Sequence, residues 1–412
     1  MKNNKTLVSI NLILIITSLL LSLFISGLGV SYLFLGLFTI SLYFYESKKL
    51  KSSLFDSMVL LVSFPLFIIV LFYGYEPFFL FLDDEYYFLE AKIEHLSSFN
   101  ELIRSYFFEL DLDFNNYLYL LSIYFKTFGY HQFVYLLINF ICLIRIFSFI
   151  SEAKTEVKKI NLFRWIPLEL ILFSFFCFKD ILICFVVTEY VRHTLKSNFL
   201  IYFILSVLLV FMLEPLRVGY SYLFIFLIGI GKFTNFSKIL LKIPLLVSIW
   251  GLFILIQVLL TTIVNFSNDN IIIKIYFYVE SLDNRLNESS GFLSIFYSSL
   301  NSGNIFTGIL IVCFTVFIPI FGLPDKYGNA DIIFMIFRFI TLLQYLFLLY
   351  SFRNVNYKNS KYITTIAFIF ISLTVIHLTF APGMLRHSLI ILPFLYSLLI
   401  HTKHEKKITS FH

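Results

Sequence analysis

Two apolar runs follow one another at the start of the chain: LVSINLILIITSLLLSLFIS over residues 7–26 and VSYLFLGLFTISLYFY over residues 30–45. Neither contains a charged residue, and the first has the roughly 20 residues that a helix needs to cross a bilayer. Lys2 and Lys5 precede the first run as in a signal peptide, but no small-residue cleavage site follows it. We therefore expect both runs to be retained membrane helices.

The whole chain has the composition of a membrane protein. Of its 412 residues, 59% are hydrophobic and 14% are charged, against roughly 45–50% and 25% in soluble domains. The four cysteines lie within apolar runs and suggest neither a disulfide framework nor a metal site. Because no phosphate loop or dinucleotide fingerprint occurs either, we expect no cofactor. The composition predicts an all-α polytopic membrane protein with a single domain over residues 1–412.

Basic residues sort the predicted loops into two classes. Cytoplasmic loops are enriched in Lys and Arg, and such residues cluster at 48–51, 154–164, 192–196, 232–242, 353–361 and 403–407. The stretch from Glu76 to Asn116 instead carries ten acidic residues and two basic ones, so we expect it to lie outside. The net charge of +6 therefore reflects the basic residues of the predicted cytoplasmic loops, and it does not imply a nucleic acid partner.

Alternation of sides then predicts about 12 membrane crossings, which we expect to be those of an inner-membrane protein, with both termini cytoplasmic and outer loops at about 76–130 and 266–332. The apolar runs 117–128 and 305–324 do not fit this alternation and are predicted to be re-entrant or interfacial, the second broken by Pro319 and Pro324. The predicted crossings are 7–27, 30–45, 54–75, 131–150, 165–178, 180–191, 198–213, 217–231, 244–265, 333–352, 362–380 and 387–401.

An acidic cluster directly after the third crossing is the first candidate site. Asp83, Asp84 and Glu85 lie in FLDDEYYFLEAKIEH, residues 81–95. Adjacent carboxylates repel, which raises the pKa of one of them and suits a general base. The alternative is that these acids only cap a helix and complement its dipole.

A charged pair interrupts the apolar stretch FSFFCFKDILICF, residues 173–185. A charge in the bilayer centre costs at least roughly 2.5–3.5 kcal/mol, so Lys179 and Asp180 mark a candidate site. We expect them at the outer tip of a helical hairpin, where they could also form an ion pair with no further role. Arg145 and Arg338 lie within about two turns of a predicted helix end, from which they could snorkel to the membrane surface.

Three further arginines lie at the same predicted outer face. Arg217 follows a helix-breaking proline in EPLR, Arg386 and His387 open the last crossing in LRHS, and Arg285 lies in the second outer loop. The planar guanidinium fork suits a phosphate or diphosphate. Each arginine could instead be an anchor at the membrane edge.

The order of these features resembles that of Wzy-type O-antigen and capsule polymerases and, behind them, of GT-C membrane glycosyltransferases. The resemblance covers nearly the whole chain and rests on pattern and topology. Its marks are Asp83 and Asp84, FGYHQFVYLLIN ending at Asn139, Pro167 followed by FKD, EPLR with Arg217, the broken run near Pro319, and LRHSLIILPF with Arg386 and Pro393.

The resemblance implies a GT-C-like fold and a block transfer at the periplasmic face, in which a glycan on undecaprenyl diphosphate moves onto a new lipid-linked repeat unit. Its implied partners are that oligosaccharide, membrane lipid, a chain-length regulator and a flippase. The implied roles are catalytic for Asp83, Asp84 and Glu85, diphosphate binding for Lys179, Arg217, Arg285 and Arg386, and supporting for Asp180 and His387.

Other functions stay open at this level. A GT-C transferase that uses a polyprenyl-phosphate sugar has one phosphate on its donor, so it needs fewer cations. A flippase or secondary transporter tends to show inverted repeats and charges near the midplane, whereas this sequence has no repeat and its candidate charges lie at one predicted face. A purely structural membrane protein would leave four costly charged positions unexplained.

Overall fold

The computed structural model describes residues 2–74, 82–108, 115–152, 167–177, 179–194 and 197–213, with residues 215, 216, 221, 224, 225, 228, 229, 390, 392–394 and 396. Contacts divide the chain into two compact units, Met1–Ile228 with Leu389–His412, and Gly229–Ser388. The described helices all lie in the first unit: α1 (Lys2–Ser26), α2 (Val30–Leu50), α3 (Ser53–Phe72), α4 (Leu82–Glu94), α5 (Phe99–Phe108), α6 (Asn115–Phe128), α7 (Gln132–Glu152), α8 (Leu168–Phe173), α9 (Asp180–Thr194) and α10 (Phe199–Leu213). Within the described residues there is no strand.

Three of these helices are long and apolar enough to cross a membrane: α1, α3 and α7. Helix α10 is as apolar but shorter. These helices indicate a membrane protein. The bounds of α1, α2, α3, α7, α9 and α10 agree with predicted crossings to within five residues. The predicted crossings after residue 216, and the outer loop 266–332, lie largely outside the described residues.

The crossing predicted over residues 165–178 is not a continuous helix. Helix α8 begins after Pro167 and ends at Phe173, so it covers about 9 Å of a hydrocarbon core that is about 30 Å thick. A turn follows before α9 begins at Asp180. The run 117–128, predicted to be interfacial, is part of α6, which at about 21 Å is also shorter than the core.

Helices α2, α7 and α9 finish at one end of the unit, called here the basic end. Ion pairs join their last turns: Lys49 Nζ of α2 lies 2.7 Å from Glu152 Oε1 of α7, and Arg192 Nε of α9 lies 3.4 Å from Glu152 Oε2. Helix α3 begins at this end as well, where Ser47 Oγ donates to Asp56 Oδ1 at 2.8 Å. Three of the loops that the sequence groups by their basic residues therefore leave the bundle together.

Helix α3 finishes where α7 begins, at the opposite end, called here the acidic end. Gln132 Nε2 donates to the Tyr73 carbonyl oxygen at 2.7 Å. Two residues earlier, Tyr130 Oη donates to the Phe88 carbonyl oxygen of α4 at 3.2 Å. The helices of the predicted outer segment, α4 to α6, thus lie at the acidic end.

Candidate functional site

The predicted catalytic acids Asp83, Asp84 and Glu85 lie in the first turn of α4. The backbone amides of a first turn have no partner within the helix, so acidic residues are favoured there. The Glu85 side chain is exposed. The acidic cluster therefore opens a helix, an arrangement that is compatible with both the catalytic and the capping interpretations.

Helix α4 is held against α6 by contacts that begin two residues after the acidic cluster. Tyr87 packs edge to face against Tyr117, with ring centroids 5.3 Å apart, and Phe88 packs against Phe125 at 5.5 Å. Ser122 Oγ donates to the Ala91 carbonyl oxygen at 3.3 Å. These contacts fix the acidic turn relative to the rest of the acidic end.

Tyr117 connects α4 to the turn that precedes α9. One side of its ring contacts Tyr87, and its hydroxyl is hydrogen-bonded to the Cys177 side chain. Burial raises the pKa of Tyr117 well above its usual value, so the hydroxyl keeps its proton for this bond. Cys177 is fully buried and lies two residues before Lys179. The acidic helix and the FKD turn thus belong to one connected cluster.

Lys179 and Asp180 are buried rather than displayed at the tip of a hairpin, with 8% and 3% of their surfaces exposed. Their turn is fixed from α7, because Asn139 Nδ2 donates to the carbonyl oxygens of Ser174 and Phe176, both at 3.0 Å. Asn139 lies seven residues into α7, and seven residues correspond to about 10 Å of helix. The turn therefore sits inside the bundle and not at its outermost edge.

The remaining predicted site residues, Arg217, Arg285, Arg386 and His387, lie outside the described residues. The helix break before Arg217 is confirmed, because α10 ends at Leu213 and a turn follows. Tyr106 Oη of α5 donates to the Met212 carbonyl oxygen at 3.4 Å, so α10 ends at the acidic end. Within the described part of the chain, no group of three or more His, Cys, Asp or Glu side chains could hold a metal ion.

Glu169 of α8 is a buried carboxyl that the sequence analysis did not single out. It is 4% exposed, and it interacts electrostatically with Tyr396. Tyr396 falls in the predicted last crossing, and its neighbour Phe394 packs edge to face against Phe149 of α7 at 5.7 Å. In the sequence, Glu169 could have been recognised as the single acidic residue within the apolar run PLELILF, residues 167–173.

A charged cluster that the sequence analysis missed occupies the basic end. Arg145 does not snorkel: Nη1 donates to Glu46, while Nε and Nη2 donate to Glu189 at 3.1 and 2.7 Å. Glu46 is fully buried and also accepts from Ser148 Oγ at 2.7 Å. One guanidinium thereby joins α2, α7 and α9.

Further ion pairs complete this cluster and balance its charge. Arg192 Nη1 donates to Glu189 Oε1 at 2.7 Å, and Lys49 pairs with Glu152. Three carboxylates, Glu46, Glu152 and Glu189, thus meet three cations, Lys49, Arg145 and Arg192. Because the charges compensate one another and each cation holds helices together, we interpret the cluster as structural.

A second polar cluster beside it joins α1, α2 and α3. Asp56 is fully buried and accepts from Tyr43 Oη at 3.1 Å and from Ser47 Oγ at 2.8 Å. Asn11 Nδ2 donates to Tyr43 Oη at 3.0 Å and to the Asp56 carbonyl oxygen at 2.8 Å, and Ser63 Oγ donates to Asn11 Oδ1 at 3.2 Å. Hydrogen bonds of this kind hold apolar helices in register.

In the described part of the chain, the candidate site therefore consists of the acidic turn of α4, the Tyr117 link and the buried Lys179 and Asp180. Carboxylates can accept a proton, and a buried ammonium group can stabilise an adjacent anion. Comparison with protein-family models, with curated proteins and with solved structures finds no match.

Proposed function

We propose that this protein is a bacterial O-antigen or surface polysaccharide polymerase, a glycosyltransferase that joins undecaprenyl-diphosphate-linked repeat units at the periplasmic face of the inner membrane. One observation carries the proposal: the acidic turn of α4 is linked through Tyr87 and Tyr117 to the turn with Lys179 and Asp180. A candidate base and a candidate anion-binding cation therefore share one end of a bundle of apolar helices.

The chemistry needs a base and an electrostatic clamp. Asp83 or Asp84 would take the proton of the acceptor hydroxyl as its oxygen attacks the anomeric carbon of the donor glycan. The bond from that carbon to the diphosphate oxygen breaks, and the diphosphate leaves with the electron pair. Arg217 and Arg386, with Lys179, would bind the diphosphate and stabilise its growing charge. The lipid-linked donor supplies the energy, so no nucleotide is required.

The charge distribution supports the proposed orientation. The basic loops that follow α2, α7 and α9 leave from one end of the bundle, while α4 to α6 lie at the other. Under the positive-inside rule the basic end faces the cytoplasm and the acidic end faces the periplasm. The start of α1, where Asn11 contacts Asp56, is then cytoplasmic, and the candidate site lies on the side where lipid-linked repeat units are polymerised.

The lipopolysaccharide ladder tests the proposal directly. A host deleted for this gene would be complemented with wild type, Asp83→Asn, Asp84→Asn, Arg217→Ala or Arg386→Ala, each checked for its amount in the membrane. We expect deletion and the site variants to leave a single repeat unit on the lipid core. Glu94→Gln, which makes the same carboxyl-to-amide change about 16 Å further along α4, should keep the full ladder.

The same gel separates the two other functions. If deletion removes even the single repeat unit, the protein acts before polymerisation, as a transferase that uses a polyprenyl-phosphate sugar or as a flippase, and the polymerase proposal is wrong. If well-expressed Asp83→Asn, Asp84→Asn and Glu85→Gln all keep the full ladder, the acidic turn is a helix cap and the base lies elsewhere.

A further inference from the structure

Helix α4 has two apolar faces: one is buried against the described helices and the other is exposed. Tyr87, Phe88 and Ala91 are buried against the bundle. On the other side of the helix a second stripe recurs at the spacing of helical turns and is exposed: Tyr86, Leu89, Ile93 and Leu96, the last three 47%, 64% and 77% exposed. Phe99, the first residue of α5, extends the stripe and is exposed as well. A continuous exposed apolar stripe of this kind marks an interaction surface.

The depth of α4 relative to the apolar helices identifies what covers this stripe. Tyr130 contacts the Phe88 carbonyl, and Gln132, two residues later, contacts Tyr73 at the end of α3. The middle of α4 therefore lies level with the end of α3 and the start of α7, both of which are long and apolar enough to cross a membrane. That level is where the hydrocarbon core gives way to the head groups.

The side chains that flank the stripe suit this boundary. Glu85 and Lys92 are exposed on one flank, and the Lys92 ammonium lies 5.5 Å from the centroid of the Tyr130 ring. Tyrosine is favoured at membrane interfaces because it combines an apolar ring with a polar hydroxyl, as Tyr86 does on the stripe. An amphipathic helix with these features lies in the interface with its apolar face among the acyl chains.

We propose that α4 is an interfacial membrane helix whose stripe of Tyr86, Leu89, Ile93 and Leu96 inserts among lipid acyl chains at the acidic end. The lipid then covers the face opposite to α6, and the helix is held between bilayer and protein. This surface is independent of the proposed chemistry, since it concerns the outward face of α4 and would exist in a transporter as well.

Fluorescence quenching in liposomes tests the insertion. The full-length protein, with its four cysteines replaced by alanine, would carry a bimane label at Leu89→Cys or Ile93→Cys, with Lys92→Cys as the matched control on the flank. We expect acyl-chain nitroxide lipids to quench the stripe labels at least about twofold more than the Lys92 label, and aqueous iodide to show the reverse order.

A second measurement keeps the native cysteines, in case their replacement prevents folding. Leu89→Trp and Ile93→Trp would be compared with wild type for quenching by brominated lipids, the signal of the two native tryptophans being subtracted. We expect brominated lipids to quench the added tryptophans.

Equal quenching by iodide of the bimane labels on the stripe and on the flank would overturn the proposal. Protection of the stripe from both quenchers would overturn it too, and would show that a partner protein or a second copy covers the stripe instead of lipid.

Discussion

Arg145 of α7 holds Glu189 of α9 through two parallel hydrogen bonds, Nε to Oε1 at 3.1 Å and Nη2 to Oε2 at 2.7 Å. The third nitrogen of the same guanidinium donates to Glu46 of α2. A planar fork with several donors can make all of these contacts at once, which a lysine ammonium cannot reproduce. The geometry therefore explains why a residue so costly to place in a membrane helix is an arginine.

Replacing Arg145 should destabilise the protein strongly. Arg145→Leu leaves the buried Glu46 carboxylate without its main counter-charge and removes one of the two arginines that pair with Glu189. Breaking a buried ion pair in this way costs roughly 3–5 kcal/mol. Arg145→Lys should recover only part of the loss, because one ammonium cannot make the two-point contact. Thermal unfolding of the detergent-solubilised protein would measure both.

Lys49→Gln is the matched control for this cluster. The Lys49 side chain is 44% exposed in its pair with Glu152, and such surface pairs contribute at most about 1 kcal/mol. We expect Lys49→Gln to shift the unfolding temperature only slightly.

For Arg145 itself, an Arg145→Lys variant as stable as wild type would show that the two-point contact does not matter, and the structural interpretation of the cluster would fail.

Tyr43→Phe should destabilise the contact among α1, α2 and α3. The change removes the hydroxyl that donates to Asp56 and accepts from Asn11. Loss of one buried hydrogen-bonding group costs about 1–3 kcal/mol when its partners stay buried. Tyr45→Phe, two residues away on the same helix at an exposed position, should leave the unfolding temperature unchanged. Equal effects of the two variants would contradict the prediction.

Asn139→Ala should loosen the turn that carries Lys179. Its two donors to the Ser174 and Phe176 carbonyl oxygens are lost, and nothing in alanine replaces them. Cys177, fully buried in that turn, reports the change through its reactivity towards a maleimide. We expect faster labelling of Cys177 than in wild type, measured by mass spectrometry of the peptides.

Two other cysteines of the same protein serve as internal controls for this labelling. Cys142 and Cys184 are buried within α7 and α9, on either side of the turn but not part of it. Their labelling should stay slow in the variant. If all three cysteines became reactive together, the substitution would have unfolded the bundle and not loosened the turn.

Much of the fold could be predicted because the bilayer leaves few choices. A long, predominantly apolar run must form a helix in lipid, where every backbone polar group needs an internal partner, and this sufficed for α1, α3 and α7. Sorting loops by Lys and Arg grouped the ends of α2, α7 and α9 correctly, because charge decides which loops stay in the cytoplasm. Apolar length was misleading for α8, where Pro167 delays the helix and a turn ends it early.

The partners of charged residues could not be predicted from the sequence. Arg145 is 99 residues from Glu46 and 44 from Glu189 along the chain, so no local pattern joins them. The burial of Lys179 and Asp180 has the same cause, because the groups that enclose their turn, such as Asn139 and Tyr117, come from distant helices. Periodicity reports which residues share a face, and not which faces meet.

His131 should make the stability of the protein depend on pH. It lies just before α7, and its Nδ1 accepts a hydrogen bond from the Phe133 amide at 3.3 Å, as a helix cap does. Burial lowers the pKa of His131 below the usual 6.5, against the smaller opposite effect of a hydrogen bond with the Gly74 backbone. The folded state therefore favours the neutral ring.

The sign of the effect follows from that lowered pKa. The unfolded chain takes up the proton more readily, so stability is fully present above about pH 6.5 and falls as the pH drops towards the lower pKa of the folded state. His131→Asn keeps a side-chain acceptor for the cap but does not titrate in this range. We expect the unfolding temperature of wild type to fall more than that of His131→Asn between about pH 7.5 and pH 5.5. Parallel curves for the two proteins would show that another group controls the pH dependence.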